Sequence, residues 1–139
     1  MPSAEAERAI PADPDAIWRL AGAFEALGDW HPAASACRVE EGGRTRRAKL
    51  VDGAELVEVL LQRDDSARAY SYRLTEGPWP VASFQALFHV EEDGAGGAVA
   101  HWSARFDVSD DSDPAEVERQ VQGFFESGLE HLDQLAATL

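Results

Sequence analysis

The chain has 139 residues, 45% of them hydrophobic, with four Trp and six Phe; that is enough apolar side chain for one domain with a sizeable core and too much for a disordered chain. Its net charge of −14, from 26 acidic against 12 basic residues, argues against nucleic acid and anionic membrane surfaces as partners. The one cysteine, Cys37, rules out an internal disulfide, no apolar run reaches transmembrane length, and the acidic start Met1-Pro2-Ser3-Ala4-Glu5 lacks a signal-peptide core, so a cytoplasmic setting is expected.

Ser3 to Ile10 alternates weakly and reads as an opening strand. Asp13-Pro14-Asp15 is a helix start, with Asp13 as N-cap, Pro14 at the first helical position and Asp15 near the positive end of the dipole. Ile17, Trp18, Leu20, Ala21 and Phe24 follow at helical spacing. A second short helical turn is read around Glu25 to Leu27, ending at Gly28, with Asp29-Trp30-His31-Pro32 as a connector.

The period then changes from helix to strand. Ser35 to Glu41, Arg44 to Val51, Ala54 to Asp64, Arg68 to Thr75, Val81 to Glu91 and Ala98 to Val108 read as six successive strands with short links, which implies antiparallel neighbours. Asp113-Pro114-Ala115-Glu116 opens a long terminal helix whose apolar stripe is Val117, Val121, Phe124, Phe125, Leu132, Leu135 and Leu139. The acidic run Asp107 to Asp113 reads as a solvated loop leading to its cap. The stripe needs a large apolar surface, and the sheet is the only candidate. The expected fold is therefore α+β, a curved seven-stranded antiparallel sheet wrapped around a long C-terminal helix, with two short helices after the first strand and the whole of 1–139 as one domain.

The hairpin Arg44 to Leu60 carries the chemistry. Read as a three-residue loop, Val51-Asp52-Gly53, with Gly53 in the left-handed position, its turn is type I with a G1 bulge. That register sets Leu50 opposite Ala54, Ala48 opposite Leu56 and Arg46 opposite Glu58 on one face, with Lys49 against Glu55 on the other. A two-residue Asp-Gly turn would instead oppose Leu50 to Glu55 and Lys49 to Leu56. The first register keeps apolar partners together and places Arg46 and Glu58 as a pair on an apolar face. Charges there are costly unless paired, and such pairs occur where ligands are recognised or transformed.

Alternation also assigns the inner wall: Tyr70, Tyr72 and Leu74; Phe84, Ala86, Phe88 and Val90; Trp102, Ala104 and Phe106, with Phe88 opposite Trp102 and Phe84 opposite Phe106. Trp79 stands between two prolines in the Gly77 to Val81 loop, as a lid or a core plug. Trp30-His31-Pro32 reads as a loop anchored in the core by Trp30, or alternatively as part of the cavity mouth with His31 as a proton carrier. His89 and His101 face each other on the outer side of the sheet, where no third ligand is evident, so no metal is expected. Cys37 lacks a paired His or Asp motif, and no phosphate loop, zinc spacing or nucleophile elbow occurs, so no cofactor is expected.

The residues Asp13 to Trp18, Asp29-Trp30-His31-Pro32, Arg46 six positions before Asp52-Gly53, Glu58, Tyr70-Ser71-Tyr72, Gly77 to Val81 and Trp102 together carry a pattern. Through them the chain resembles the polyketide cyclase/dehydrase-like branch of the START/Bet v 1-like (SRPBCC) superfamily, the helix-grip fold. The resemblance implies a hydrophobic cavity between sheet and helix. Within that branch the plant lachrymatory-factor synthases use an arginine and a glutamate that match Arg46 and Glu58, whereas their cavity tyrosine falls at Phe84 here. The gate loop of the plant abscisic-acid receptors resembles Gly77-Pro78-Trp79-Pro80, with Trp79 where the gate usually has Leu.

The resemblance and the residues lead to one expectation: a protein that binds a small hydrophobic, oxygen-bearing molecule in an internal cavity. Arg46 and Glu58 are the candidate catalytic pair for a cofactor-independent cyclisation, dehydration or isomerisation. Trp30, Tyr70, Tyr72, Trp79, Phe84, Phe88, Trp102 and Phe106 are the candidate ligand contacts. The alternatives are a non-catalytic carrier of a lipid or polyketide-like molecule with a gated cavity, and an interaction module whose interior is filled by its own side chains. The chain is expected to act as a monomer or homodimer.

Overall fold

Two aspartates cap the two helices that open on proline. Asp13 accepts from the Asp15 backbone N–H at 2.8 Å and starts α1 (Pro14–Ala21), and Asp113 accepts from that of Ala115 at 3.2 Å and starts α3 (Pro114–Ala136). A computed structural model describes residues 1–139, the side chain of Glu41 excepted. β1 (Ser3–Ile10) precedes α1, and between α1 and α3 run α2 (Leu27–Trp30), β2 (Ala34–Glu40), β3 (Thr45–Leu50), β4 (Glu55–Asp64), β5 (Ala69–Glu76), β6 (Val81–Glu92) and β7 (Ala98–Val108). A single 3-10 turn, Phe24–Ala26, links α1 to α2.

The seven strands form one antiparallel sheet in the order β1-β7-β6-β5-β4-β3-β2. Every connection after β2 joins spatial neighbours, and β1 closes the far edge against β7. The β3–β4 hairpin has the three-residue turn: Gly53 sits at φ +95°, and the Leu50 N–H donates to the Ala54 carbonyl at 2.8 Å. Arg46 accordingly faces Glu58, Ala48 faces Leu56 and Lys49 faces Glu55. Phe88 faces Trp102 and His89 faces His101.

Register shifts bend the sheet. They fall in β2 between Ala34 and Ala36, twice in β4 against β5, and in β6 between Ala82 and Gln85, where Ser83 takes a positive φ of 53°. The last one interrupts the ladder at Phe84, yet the Phe84 and Phe106 rings still stack at 5.6 Å between centroids. The bent sheet grips α3, which buries Val117, Val121, Phe125, Gly128, Leu129 and Leu132.

Four expectations are corrected. Leu139 lies past the end of α3 and is 71% exposed, and the stripe instead takes in Gly128 and Leu129. The second short helix runs through Gly28 to Trp30 rather than ending at the glycine. Gly28 does not take a left-handed φ, and a Cβ there would make only ordinary contact with Cys37 of β2 at 3.4 Å, so it neither stops the helix nor marks a close approach. β2 begins one residue earlier than read, at Ala34. Arg68 belongs to the turn before β5, since its φ is +49°.

Candidate functional site

Strand alternation alone carries Arg46 and Glu58 to the concave face, where the structure seals both: their side chains are 0% and 3% exposed. The Arg46 Nε donates to Glu58 Oε1 at 2.7 Å. Its Nη1 donates to the Phe24 carbonyl at 2.8 Å and to the Tyr70 hydroxyl at 3.3 Å. Its guanidinium lies 4.3 Å from the Phe24 ring centroid and 4.9 Å from that of Tyr72. Burial alone would lower the pKa of Arg46, but Glu58 and the tyrosine oxygens outweigh it and hold the group above its ordinary value, a permanent cation. The Nη2 has no partner among the described residues.

Aromatic residues enclose the pair. Tyr70 and Tyr72 are buried, and burial pushes both hydroxyls up, Tyr72 further than Tyr70, so they remain protonated. The Trp102 Nε1 donates to the Tyr72 oxygen at 2.9 Å. Trp30 packs on Phe88 and Trp102 with centroids 5.6 and 5.4 Å apart, and its Nε1 is a second buried donor with no partner among the described residues. Phe84, Phe88 and Phe106 are also buried. The structure thus puts Trp30, Tyr70, Tyr72, Phe84, Phe88, Trp102 and Phe106 on the inner side with Arg46 and Glu58.

Trp79 sits apart from them, at the rim. It is half-buried, stacks on Phe84 at 6.0 Å and meets Phe124 of α3 edge-on at 5.3 Å. Beside it a hollow of about 310 Å³ opens between the β3–β4 turn, the Pro78–Trp79 loop and α3, lined by Ala33, Leu50, Val51, Asp52, Gln120 and Phe124. Neither Arg46 nor Glu58 lines that hollow, and both are buried.

The structure agrees with the loop anchored in the core by Trp30, which is 1% exposed, and it buries His31 as well. Rather than opening on a mouth, His31 is 2% exposed and joins α2 to α3: its Nε2–H donates to the Phe124 carbonyl at 2.8 Å, and its Nδ1 accepts from the Ala33 N–H at 3.1 Å. His131 answers from α3, with Nδ1 2.7 Å from the Trp30 carbonyl. No spacing signal announces this reciprocal clasp, since its acceptors are backbone carbonyls.

A seven-stranded antiparallel sheet curved around a C-terminal helix, with two short helices after the first strand, is the helix-grip architecture of the SRPBCC superfamily. The chain belongs to the polyketide cyclase / dehydrase and lipid transport family, whose family model matches residues 1–137. Among solved structures it is similar to the protein XoxI of Bacillus cereus, with a TM-score of 0.94 and 28% identity over 99% of this chain and 96% of that one. It is also similar to a protein of Bacillus thuringiensis, with a TM-score of 0.92 and 28% identity over 97% and 98%. Ara h 8.0201, a Bet v 1 homologue, shares the fold at 17% identity, with a TM-score of 0.78 over 99% and 98% of the two chains. None of the curated proteins compared matches the chain. No helix among the described residues is long and apolar enough to cross a membrane.

Proposed function

We propose that the protein binds a small, largely apolar, oxygen-bearing molecule between the sheet and α3, entering beside Trp79. Two donors carry the reading: Arg46 Nη2 and Trp30 Nε1 are both buried on the inner side without an acceptor among the described residues. Leaving a buried donor unpaired costs about 1–3 kcal/mol, more for a charged group, so an incoming carbonyl, carboxylate or hydroxyl oxygen gains what the empty fold forgoes. The surrounding wall of Phe and Trp suits the apolar remainder of such a molecule. The family to which the chain belongs covers both cyclases and lipid transporters, which agrees with a ligand of this kind. Entry requires Trp79 and its neighbours to move, since Arg46 and Glu58 are buried.

Within that reading the pair offers a cofactor-free reaction. Arg46 would hold an oxygen as negative charge develops on it, and the Glu58 carboxylate would take the proton from the adjacent carbon and return it elsewhere. Cyclisation, dehydration and isomerisation all use that couple. A carrier is the second reading, and a specific observation favours it: Arg46 Nε already engages one Glu58 oxygen, and Phe84 brings no hydroxyl to the wall.

Native mass spectrometry on protein purified from its own cells tests both readings. The wild type should carry a small molecule that the Arg46→Met/Glu58→Leu double variant lacks while remaining folded. Identical empty spectra for the two proteins, together with no uptake of the apolar anion 1-anilinonaphthalene-8-sulfonate, would refute binding. If Glu58→Gln retains the molecule but returns it unaltered where the wild type alters it, the protein is an enzyme; if both return it unaltered, it is a carrier.

A further inference from the structure

We propose that His89, Glu91 and His101 form a binding site for one divalent transition-metal ion of the zinc class, on the face of the sheet turned away from α3. The site is independent of the interior pair. The sequence alone sets His89 opposite His101 but shows no third ligand; the structure supplies it. Glu91 stands two residues beyond His89 on β6, so the strand's period of two returns it to the same face.

The three side chains bring one donor atom each to within 4.8 Å of one another. Glu91 Oε1 lies 3.5 Å from His89 Nδ1, and its Oε2 lies 3.5 Å from His101 Nε2. Zinc holds nitrogen and oxygen ligands at about 2.0–2.1 Å, which puts neighbouring corners of a tetrahedron roughly 3.3 Å apart. Each Glu91 oxygen therefore lies close to that spacing from one imidazole nitrogen.

A second observation concerns His101 itself. Its Nε2 is buried with no hydrogen-bond partner among the described residues. Its Nδ1 lies 3.2 Å from Glu7 Oε2 on β1, whose backbone pairs with it. A proton on Nδ1 shared with Glu7 leaves the Nε2 lone pair free and fixes the ring. That carboxylate–histidine relay is the outer arrangement that metal-bound histidines use. The His89 and His101 rings stack in parallel with centroids 4.4 Å apart, so one must turn about its χ2 to share an ion. Each side chain is 25% exposed, which leaves room for that turn. Two imidazoles and a carboxylate select zinc, nickel, cobalt or copper over calcium or magnesium. The fourth position faces water, beside a hollow of about 320 Å³ that Glu5 and Glu7 also line.

The test is isothermal titration of ZnCl2 into the 139-residue chain carrying no polyhistidine tag, paired with NMR of the imidazole rings. One ion per chain is expected. His89→Gln, His101→Gln and Glu91→Gln should each weaken binding at least tenfold, and Glu7→Gln about tenfold. Glu126→Gln, on the exposed side of α3, should leave it unchanged. In the wild type, zinc should move the ring signals of His89 and His101 and leave those of His31 and His131 in place, a readout that needs no variant to fold. Zinc that moves no ring signal, moves all four alike, or binds the His101→Gln protein as tightly as the wild type would overturn the proposal.

Discussion

Gly128 of α3 lies directly against His31: a Cβ built on that glycine would stand 2.6 Å from the His31 Cδ2 and 2.9 Å from its Nε2. The same Cβ would meet the Trp102 ring at 2.9 Å. His31 is pinned at both ring nitrogens and Trp102 at its indole N–H, so neither can withdraw without losing a hydrogen bond. Gly128→Ala should therefore destabilise the fold. Overpacking costs about 1–3 kcal/mol, and the helix preference of alanine over glycine returns at most about 1 kcal/mol. Gly123, five residues earlier in α3, has nothing among the described residues within 4 Å of its added Cβ, so Gly123→Ala should stabilise by up to about 1 kcal/mol. Urea midpoints of the two variants should fall on opposite sides of the wild type. A Gly128→Ala protein as stable as its Gly123→Ala counterpart would show that helix and clasp are not in contact.

His31 also makes stability depend on pH. Burial holds its pKa down to about 4; the bond to the Phe124 carbonyl works the other way, and Arg46 and His131 add to the lowering. The unfolded chain takes up this proton near pH 6.5 and the folded chain only near pH 4. Between those values the unfolded state binds more protons, so the contribution is complete above pH 6.5 and is lost as the pH falls toward 4. By pH 5 the loss should be about 2 kcal/mol. Carboxylates titrate too, so the informative quantity is a difference. The stability gap between wild type and His31→Gln should narrow by about that amount from pH 7 to pH 5. A gap that stays constant would mean that the imidazole is not held neutral.

The hairpin and the clasp show where sequence reading succeeds and where it stops. Arg46 could be set opposite Glu58 because a period of two, one glycine that has to be left-handed and the apolar partners of Ala48 and Leu50 leave a single good register. The same logic placed Tyr70, Phe88 and Trp102 on one wall. The Phe84–Phe106 pairing holds at the rings although the ladder breaks beside it. What the sequence hides is contact between elements far apart in the chain. His31 meets Phe124 across 93 residues and His131 meets Trp30 across 101, through carbonyls that every residue possesses. Whether the interior is hollow was equally illegible, since a wall of aromatics and alanines suits a pocket or a packed core. Here Phe24, Tyr70 and Tyr72 fold inward onto the guanidinium.

That packing makes the Arg46–Glu58 pair an asymmetric element of stability. Removing one member leaves the other charged, dry and unpaired, at a cost of about 3–5 kcal/mol. Removing both costs much less, because the desolvation of two ions disappears with their attraction. Arg46→Met and Glu58→Leu should each be strongly destabilising, while the double variant should lie within about 2 kcal/mol of wild type, the remainder being the Phe24 carbonyl that loses its donor. Urea unfolding of the four proteins gives the coupling directly. Additive single effects would mean that the two charges do not depend on each other in the folded chain.

The two tyrosines should separate in the same assay. The Tyr72 oxygen accepts from Trp102 Nε1 at 2.9 Å, and that indole has no other bond among the described residues, so Tyr72→Phe strands a buried donor and should cost about 1–3 kcal/mol. The Tyr70 oxygen accepts from Arg46 Nη1 at 3.3 Å, and that nitrogen keeps the Phe24 carbonyl at 2.8 Å when the hydroxyl is gone. Tyr70→Phe should then cost no more than about 0.5–1.5 kcal/mol, the net worth of an ordinary hydrogen bond. Both substitutions leave the aromatic packing on Phe24 in place, so the difference between them isolates the stranded indole. Fluorescence-monitored urea unfolding measures both variants. Should Tyr70→Phe prove the more damaging, the interior would depend on the arginine's hydroxyl contact rather than on satisfying Trp102, and the assignment of roles within the wall would have to be reversed.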